Sequence, residues 1–299
     1  MENISVVSVV HPSSIKFLDS YLNSMMKQTF SDFKLILFGH GVNKDDISSK
    51  LDRYDTLDVI FKQVRKDLTI PKVREFITEY IKKTDSDICI FTDSDDFVDE
   101  NFVKLLSEEL IKGGYKVVFS DVTLYYEKTK RVIYNYFSGL IPDEVDLKFI
   151  LEKNCLGFGN TGISLDIIDE NISFPDDIIA VDWWFFTRIL YKGLTAKFVP
   201  RTFIYYRLYE DNIAGFSNLN KERIIHGANV KRIHYKNLLD LGQQFIILYE
   251  EYNCLYKKLE SDKSFEKRYV NYILNKYKQS RYLWWEPIER VRWLECQEK

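Results

Sequence analysis

The sequence predicts an α/β fold in which a mixed, mostly parallel sheet is flanked by helices and followed by a C-terminal helical subdomain. Three observations lead there. Short apolar runs alternate with amphipathic stretches through the first half of the chain, the pattern of β-α-β units. A polar Lys-Thr-Lys turn between two later apolar runs predicts a hairpin, and so an antiparallel part of the sheet. From Lys221 onward the chain is rich in Lys, Glu, Leu, Ile and Tyr with almost no turn formers, which reads as consecutive helices. The division expected is 1–215 for the sheet domain and 216–299 for the helical subdomain.

The elements follow in order. Residues 4–10 form a buried strand. Ser13 or Ser14 can cap the next helix, whose Ile15, Leu18, Leu22 and Met25 recur at helical spacing. Strand two covers 33–38, a short helix 45–54 and strand three 57–61. Pro71 stands where proline is favoured, in the first turn of a helix running to about residue 83. Strand four, 87–92, ends directly in Asp93-Ser94-Asp95-Asp96, and a helix over 99–111 stops at Gly113-Gly114. Strands are expected at 116–120, 122–127 and 131–137, then a helix near 143–153, the glycine-rich segment CLGFGNTG, a helix near 181–192 and strands at 195–199 and 202–207.

Composition sets limits. With 299 residues, 45% of them hydrophobic, the chain can bury a sizeable core. A formal charge of -3 argues against nucleic acid as a partner. Charge is unevenly spread: residues 216–299 hold 16 Lys and Arg against 11 Asp and Glu, so the last third is the basic part. The four cysteines are far apart without a CxxC pair, which indicates neither a zinc site nor a disulfide framework and fits a reducing cytosol. No signal-peptide pattern and no apolar stretch of about 20 residues is present, so a cytoplasmic protein that does not span a membrane is expected.

The acidic cluster lies at a strand's carboxyl end, where open α/β sheets bind ligands. Alternation places Asp93 and Asp95 on one face and turns Ser94 away. Two short acids on a tight turn can hold a divalent cation against phosphate oxygens; an acidic turn capping the next helix has the same pattern.

Context adds a resemblance. The stretch ICIFTDSDDFVDENFVKLL resembles the metal-binding segment of family 2 glycosyltransferases, which have the Rossmann-like GT-A fold. ISVVSVVHPSSIKFLDSYLNSMMKQTFSDFKLILFG resembles that family's opening, a first strand ending near a proline, here Pro12. Arg74 lies near where the family often carries an arginine close to the nucleotide base. The resemblance covers roughly residues 3–215 and implies a donor site of Pro12, Arg74, Asp93, Ser94 and Asp95. Asp93 would lie near ribose and diphosphate, and Asp95, with Asp93, would ligate Mn2+ or Mg2+.

On the acceptor side, FPDDIIAVDWWFFTRILYKG resembles the family's base-bearing helix, with Val181-Asp182 in the place of a Glu-Asp pair, and so implies that Asp182 is the catalytic base; helix capping is the plainer reading of the same aspartate. Trp183 and Trp184 can stack on an acceptor sugar or pack in the core. Asn160, among Gly157, Gly159 and Gly162, can approach the acceptor, or the glycines can mark a bulged strand. IYYRLYEDNIAG resembles the family's closing loop, with Arg207 able to pair with phosphate and Tyr209 in the place of a frequent histidine. Phe38-Gly39-His40-Gly41 stands where the family usually has acids that read the nucleobase; His40 can replace that contact, which leaves UDP, GDP and dTDP sugars open.

The resemblance thus implies an inverting glycosyltransferase moving a sugar from a nucleotide-sugar donor to a glycan or lipid-linked glycan, in bacterial surface polysaccharide synthesis. A catalytically silent GT-A-like binding module is the alternative from another class. A sugar nucleotidyltransferase is disfavoured, because VVHPSSIKF lacks the glycine-rich loop that cradles a triphosphate. The tail ending in RYLWWEPIERVRWLE can lie peripherally on the inner face of a membrane, or form an ordinary helical subdomain or a homo-oligomer interface.

Overall fold

The computed structural model describes residues 2–170, 172–209 and 219–290. Strand β1 (Ile4–Val10) lies between β2 (Lys34–His40) and β4 (Ile88–Asp93), and β2 carries β3 (Val59–Val64) on its other side. All three pairings are parallel. Val6, Val7, Ile36 and Ile90 are buried, so the near-continuous apolar runs follow from a sheet covered on both faces. β9 (Thr161–Ser164) runs antiparallel between β4 and β6 (Val117–Tyr126), and β10 (Ala196–Leu208) pairs parallel with β6. β1, β2, β3, β4, β6 and β10 therefore point the same way, and their carboxyl ends meet at one edge. Short antiparallel strands β5 (Phe97–Val98), β7 (Val132–Ile133) and β8 (Glu144–Val145) complete the mixed, mostly parallel sheet.

Helices α1 (Leu18–Met26), α2 (Lys44–Leu51), α3 (Ile70–Ile81), α4 (Phe102–Ile111) and α6 (Val181–Tyr191) flank it, and α5 (Leu147–Ile150) is a single turn. Several boundaries differ from expectation for local reasons. Neither Ser13 nor Ser14 is a helix cap. A 3-10 turn over Pro12–Phe17 comes first, capped at His11, and Ser14 Oγ donates to the His11 carbonyl at 2.9 Å and accepts from its N–H at 3.1 Å. Residues 116–127 form one strand rather than two. Asp121, which reads as a break, is buried within it, its carboxylate accepting from the N–H groups of Val122, Phe137 and Ser138 and from Ser138 Oγ. The 195–207 region is likewise one strand, with a register shift between Val199 and Phe203 that accommodates Pro200, which has no N–H to donate. The helix expected over 143–153 shrinks to α5 because Glu144 and Val145 pair with β10 and Asp146 caps the turn that follows, accepting from Phe149 N–H.

The helical region is as expected: α7 (Lys221–Lys236), α8 (Gln243–Ser261) and α9 (Lys263–Tyr277). It shares one continuous apolar core with the sheet region. Beyond α9 the chain returns to the sheet region, where Asn154 N–H donates to the Trp284 carbonyl at 2.8 Å. Leu283 and Ile288 are buried, and Glu286, Glu289 and Arg290 are ion-paired. Residues 283–290 therefore pack on the protein; 291–299 lie outside the described residues. No described helix is long and apolar enough to cross a membrane.

Candidate active site

Asp93 ends β4 opposite Val9 of β1, and the acidic turn closes with Asp96 N–H donating to the Asp93 carbonyl at 3.1 Å. Ser94 is buried and donates to the Val9 carbonyl at 2.7 Å, with Ser14 Oγ at 2.8 Å. Ser94, implied in the donor site by the resemblance, has its side chain turned away as alternation predicts: the hydroxyl pins the turn to β1, while Asp93 and Asp95 stay partly open to the cleft.

The expected phosphate contact of Arg207 is corrected. Only 4% exposed, it donates from Nε to the Asp95 carbonyl at 2.6 Å and from Nη2 to Ser20 Oγ at 2.8 Å, pairs with Glu127, and lies over Phe17. Its N–H also binds Asp96 Oδ1 at 2.7 Å. Rather than reaching toward phosphate, Arg207 clamps the acidic turn from behind, and it can do so because β10 ends at the same edge of the sheet as β4.

Arg74 meets the acidic turn directly. Reaching from α3, it donates from Nη2 to Asp93 Oδ1 at 3.2 Å, and its guanidinium lies 4.6 Å from the centre of the Phe158 ring. Among the described residues its buried Nη1 and the buried Nε2 of His40 have no hydrogen-bond partner, so both are available to a polar ligand. Pro12 sits beside Gly41, where an added Cβ would be 3.6 Å from the proline ring; Gly41 takes φ +71°, and the tight turn brings the ends of β1 and β2 together.

Electrostatics ties the two sides together. Burial pushes the Asp93 carboxyl up, Arg74 opposes it, and the neighbouring Asp95 adds to the rise. Asp182, in the first turn of α6, is pushed from its ordinary 3.8 to about 6, chiefly by burial; the Trp183 N–H bond at 2.7 Å opposes the rise, Asp93 adds to it and Arg74 lowers it. Asp93, Arg74 and Asp182 thus act on one another across one cleft. The Tyr206 hydroxyl is pushed well above its ordinary value, chiefly by burial, with Asp96, Asp95, Asp93 and Asp182 adding to the rise.

The three acceptor-side candidates lie inside the protein, the two indoles taking the core-packing alternative. Trp183 is fully buried, stacks on His234 at 3.9 Å and donates from Nε1 to the Ile150 carbonyl. Trp184, 2% exposed, donates to the Asn237 carbonyl at 3.0 Å. Asn160 is buried, accepting from Gly157 N–H at 2.8 Å and donating to the carbonyls of Ser120 and Cys155, so it shapes the glycine loop from inside. The two indoles are consumed in fixing α6 against the helical region, which holds Asp182 in place.

Sequence reasoning placed Gly159 on the acceptor side, yet a Cβ there would stand 2.8 Å from Asp93 Oδ2, and it missed Tyr206. It also missed the bond from Tyr209 Oη to Asp95 Oδ2 at 2.6 Å, and Trp284, whose ring lies 3.5 Å from a Cβ built on Gly157. A residue at Gly157 or Gly159 would intrude on the carboxylates, and the clustered glycines were the one signal that pointed to this. Among the described residues no three His, Cys, Asp or Glu side chains form a ready-made metal cage. Asp93 and Asp95 do supply hard oxygen donors whose repulsion a cation would relieve.

Comparison with known proteins agrees with this fold. The chain is 23% identical over 196 residues to the O-antigen biosynthesis glycosyltransferase WbnJ of Escherichia coli, covering 64% of this chain and 72% of the relative. Its fold is similar to that of S. aureus TarS 1–349 in complex with UDP-GlcNAc, with a TM-score of 0.61 at 16% identity over 91% of this chain and 81% of that one. It is also similar to the mannosyltransferase PcManGT of Pyrobaculum calidifontis in complex with GDP-Man and Mn2+, with a TM-score of 0.58 at 12% identity over 94% and 76%. These are GT-A glycosyltransferases, and the sheet described above is the GT-A sheet. The model of glycosyl transferase family 2 matches residues 5–163, more than half of the chain, which therefore belongs to glycosyl transferase family 2.

Proposed function

We propose that this glycosyltransferase passes a sugar from a nucleotide-sugar donor to a hydroxyl of a bacterial surface glycan, with inversion, through a two-carboxylate site. The observation that carries the proposal is Asp182, a carboxylate with a pKa near 6 that shares a cleft with Asp93 and Arg74. A base of that strength is ionised at neutral pH yet basic enough to take a proton as an acceptor hydroxyl attacks. A single base and one displacement invert the anomeric centre.

Asp93 and Asp95 would hold Mn2+ or Mg2+, the residue types fitting a hard cation, and two carboxylates leave room for diphosphate oxygens and water. When bound, the cation neutralises the departing nucleoside diphosphate. Arg74 holds the Asp93 carboxylate in orientation, and Ser94 and Arg207 fix the turn that carries both acids. His40 Nε2 and Pro12 line the side on which the nucleobase is expected. The S. aureus and Pyrobaculum structures, named for complexes with UDP-GlcNAc and with GDP-Man and Mn2+, support a nucleotide-sugar donor and a divalent cation.

Tyr209 bonded to Asp95 favours a second reading, a silent binding module in which the metal position is closed. A screen of UDP, GDP and dTDP sugars separates the two. The first reading predicts slow, Mn2+-dependent hydrolysis of one donor; if no donor turns over with any divalent cation, the silent module stands.

A further inference from the structure

With Trp183 and Trp184 in the core, the acceptor side needs another aromatic wall. We infer that Trp284, delivered from the far end of the chain, is that wall and binds a pyranose ring of the acceptor beside Asp182; the inference rests on the glycosyltransferase reading above.

Its position is specific. A Cβ built on Gly157 would lie 3.5 Å from Trp284 Cη2 and 3.6 Å from Asp182 Oδ2, so the indole edge and the carboxylate oxygen flank the same small space. The half-buried ring packs edge-on against Phe137 at 5.2 Å and against Tyr206 at 6.0 Å. Asn160 Oδ1 would lie 3.1 Å from the same Cβ, so only the absence of a side chain at Gly157 lets the indole edge stand this close to the carboxylate, and a sugar would lie on the half-exposed ring beside the base. An apolar sugar face against an indole, with the attacking hydroxyl turned to a carboxylate, is the arrangement such a pocket accommodates.

The segment carrying Trp284 is fixed on both sides. Upstream, Arg281 donates to the carbonyls of Asn135 and Tyr136. Downstream, Lys231 donates to the Ile288 carbonyl at 2.6 Å, Tyr269 to the Glu289 carbonyl at 2.9 Å, and Arg290 pairs with Glu152. Ile288 fills the space over Gly227, where a Cβ would stand 2.6 Å from its Cγ1. Between these anchors Trp285 takes φ +65°, a left-handed conformation that bulky residues avoid. Asn154 joins the two walls: its N–H binds the Trp284 carbonyl, and its side chain bonds both the N–H and the carbonyl of Leu156, just before Gly157. This much restraint on an irregular segment points to a ring held for a ligand.

The test uses the full chain, p-nitrophenyl hexopyranosides as acceptors, the donor found by the hydrolysis screen, and calorimetric titration of the matching nucleotide with Mn2+. Trp284→Ala is expected to raise the acceptor KM about tenfold, the order that losing one stacked aromatic face carries, while the nucleotide Kd stays within twofold of wild type. Trp284→Phe, which keeps an aromatic face and serves as the control should the alanine variant fold poorly, is expected to recover most of the loss. An acceptor KM unchanged in both variants, or a nucleotide Kd weakened as much as the acceptor KM, overturns the inference while leaving the glycosyltransferase reading intact. A wild-type chain that binds none of the nucleotides overturns that reading, and the inference with it.

Discussion

Replacing Asp182 by asparagine should make the protein more stable and nearly inactive at the same time. Burial holds the Asp182 carboxyl near pKa 6 instead of its ordinary 3.8, so the folded state prefers the protonated, neutral form. A raised carboxyl contributes stability at low pH that is lost as pH climbs from the unfolded value through the folded one. At about 1.4 kcal/mol per pH unit, that interval corresponds to at most about 3 kcal/mol. Asparagine stays neutral at every pH and can still accept the Trp183 N–H bond, so Asp182→Asn avoids the loss. Thermal melts from pH 4 to 8 should show equal Tm near pH 4 and a gap opening between about 4 and 6. The gap should level off above that, at roughly 5 °C in favour of the variant for a chain of this size. Transfer should fall by about 10²–10⁴-fold, the usual contribution of a general base. Wild-type kcat/KM should fall below about pH 6, where the free enzyme's base takes up its proton. Superimposable melting curves across this pH range, or retained transfer by the variant, would refute the assignment.

Two other substitutions probe the metal side. Gly159→Ala places a methyl 2.8 Å from Asp93 Oδ2, so the carboxylate must move; steady-state kinetics should show a donor KM raised about tenfold or more, with Tm little changed. Tyr209→Phe removes the hydroxyl that competes for Asp95 Oδ2, and a hydrogen bond to a charged group is worth about 1.5–3 kcal/mol. Titration of Mn2+ should therefore show affinity at least severalfold tighter, and weaker binding would show that the tyrosine supports the cation site instead of masking it.

The sheet was legible because its strands are apolar runs punctuated by helices, and the parallel order follows from that alternation. Its continuity was not. Asp121 and Pro200 look like breaks along the chain, yet one accepts three hydrogen bonds from Phe137 and Ser138 as well as one from its neighbour Val122, and the other sits in a bulge. In the site, Asp93 and Asp95 could be singled out because they close a strand at the sheet's carboxyl edge, whereas Arg74 and Asp182 were marked only by the resemblance to family 2 glycosyltransferases. Arg207, Ser94 and Asn160 were misread for a common reason. Their polar atoms are used by backbone groups or side chains distant in sequence, such as Val9 for Ser94 and Ser120 for Asn160, and no local pattern records that. Trp284 had no local signal at all, since its place beside Gly157 depends on the chain returning from α9 to Asn154.

The central claim, that Asp95 serves the donor and Asp182 the acceptor, is tested most directly by calorimetric titration of UDP, GDP and dTDP with and without Mn2+ on wild type, Asp95→Ala and Asp182→Asn. One nucleotide should bind the wild type in a Mn2+-dependent manner, Asp95→Ala should lose that dependence, and Asp182→Asn should keep the wild-type affinity. Binding that ignores the cation, or an Asp182→Asn variant that loses the nucleotide as Asp95→Ala does, would contradict the division of the site between the two carboxylates.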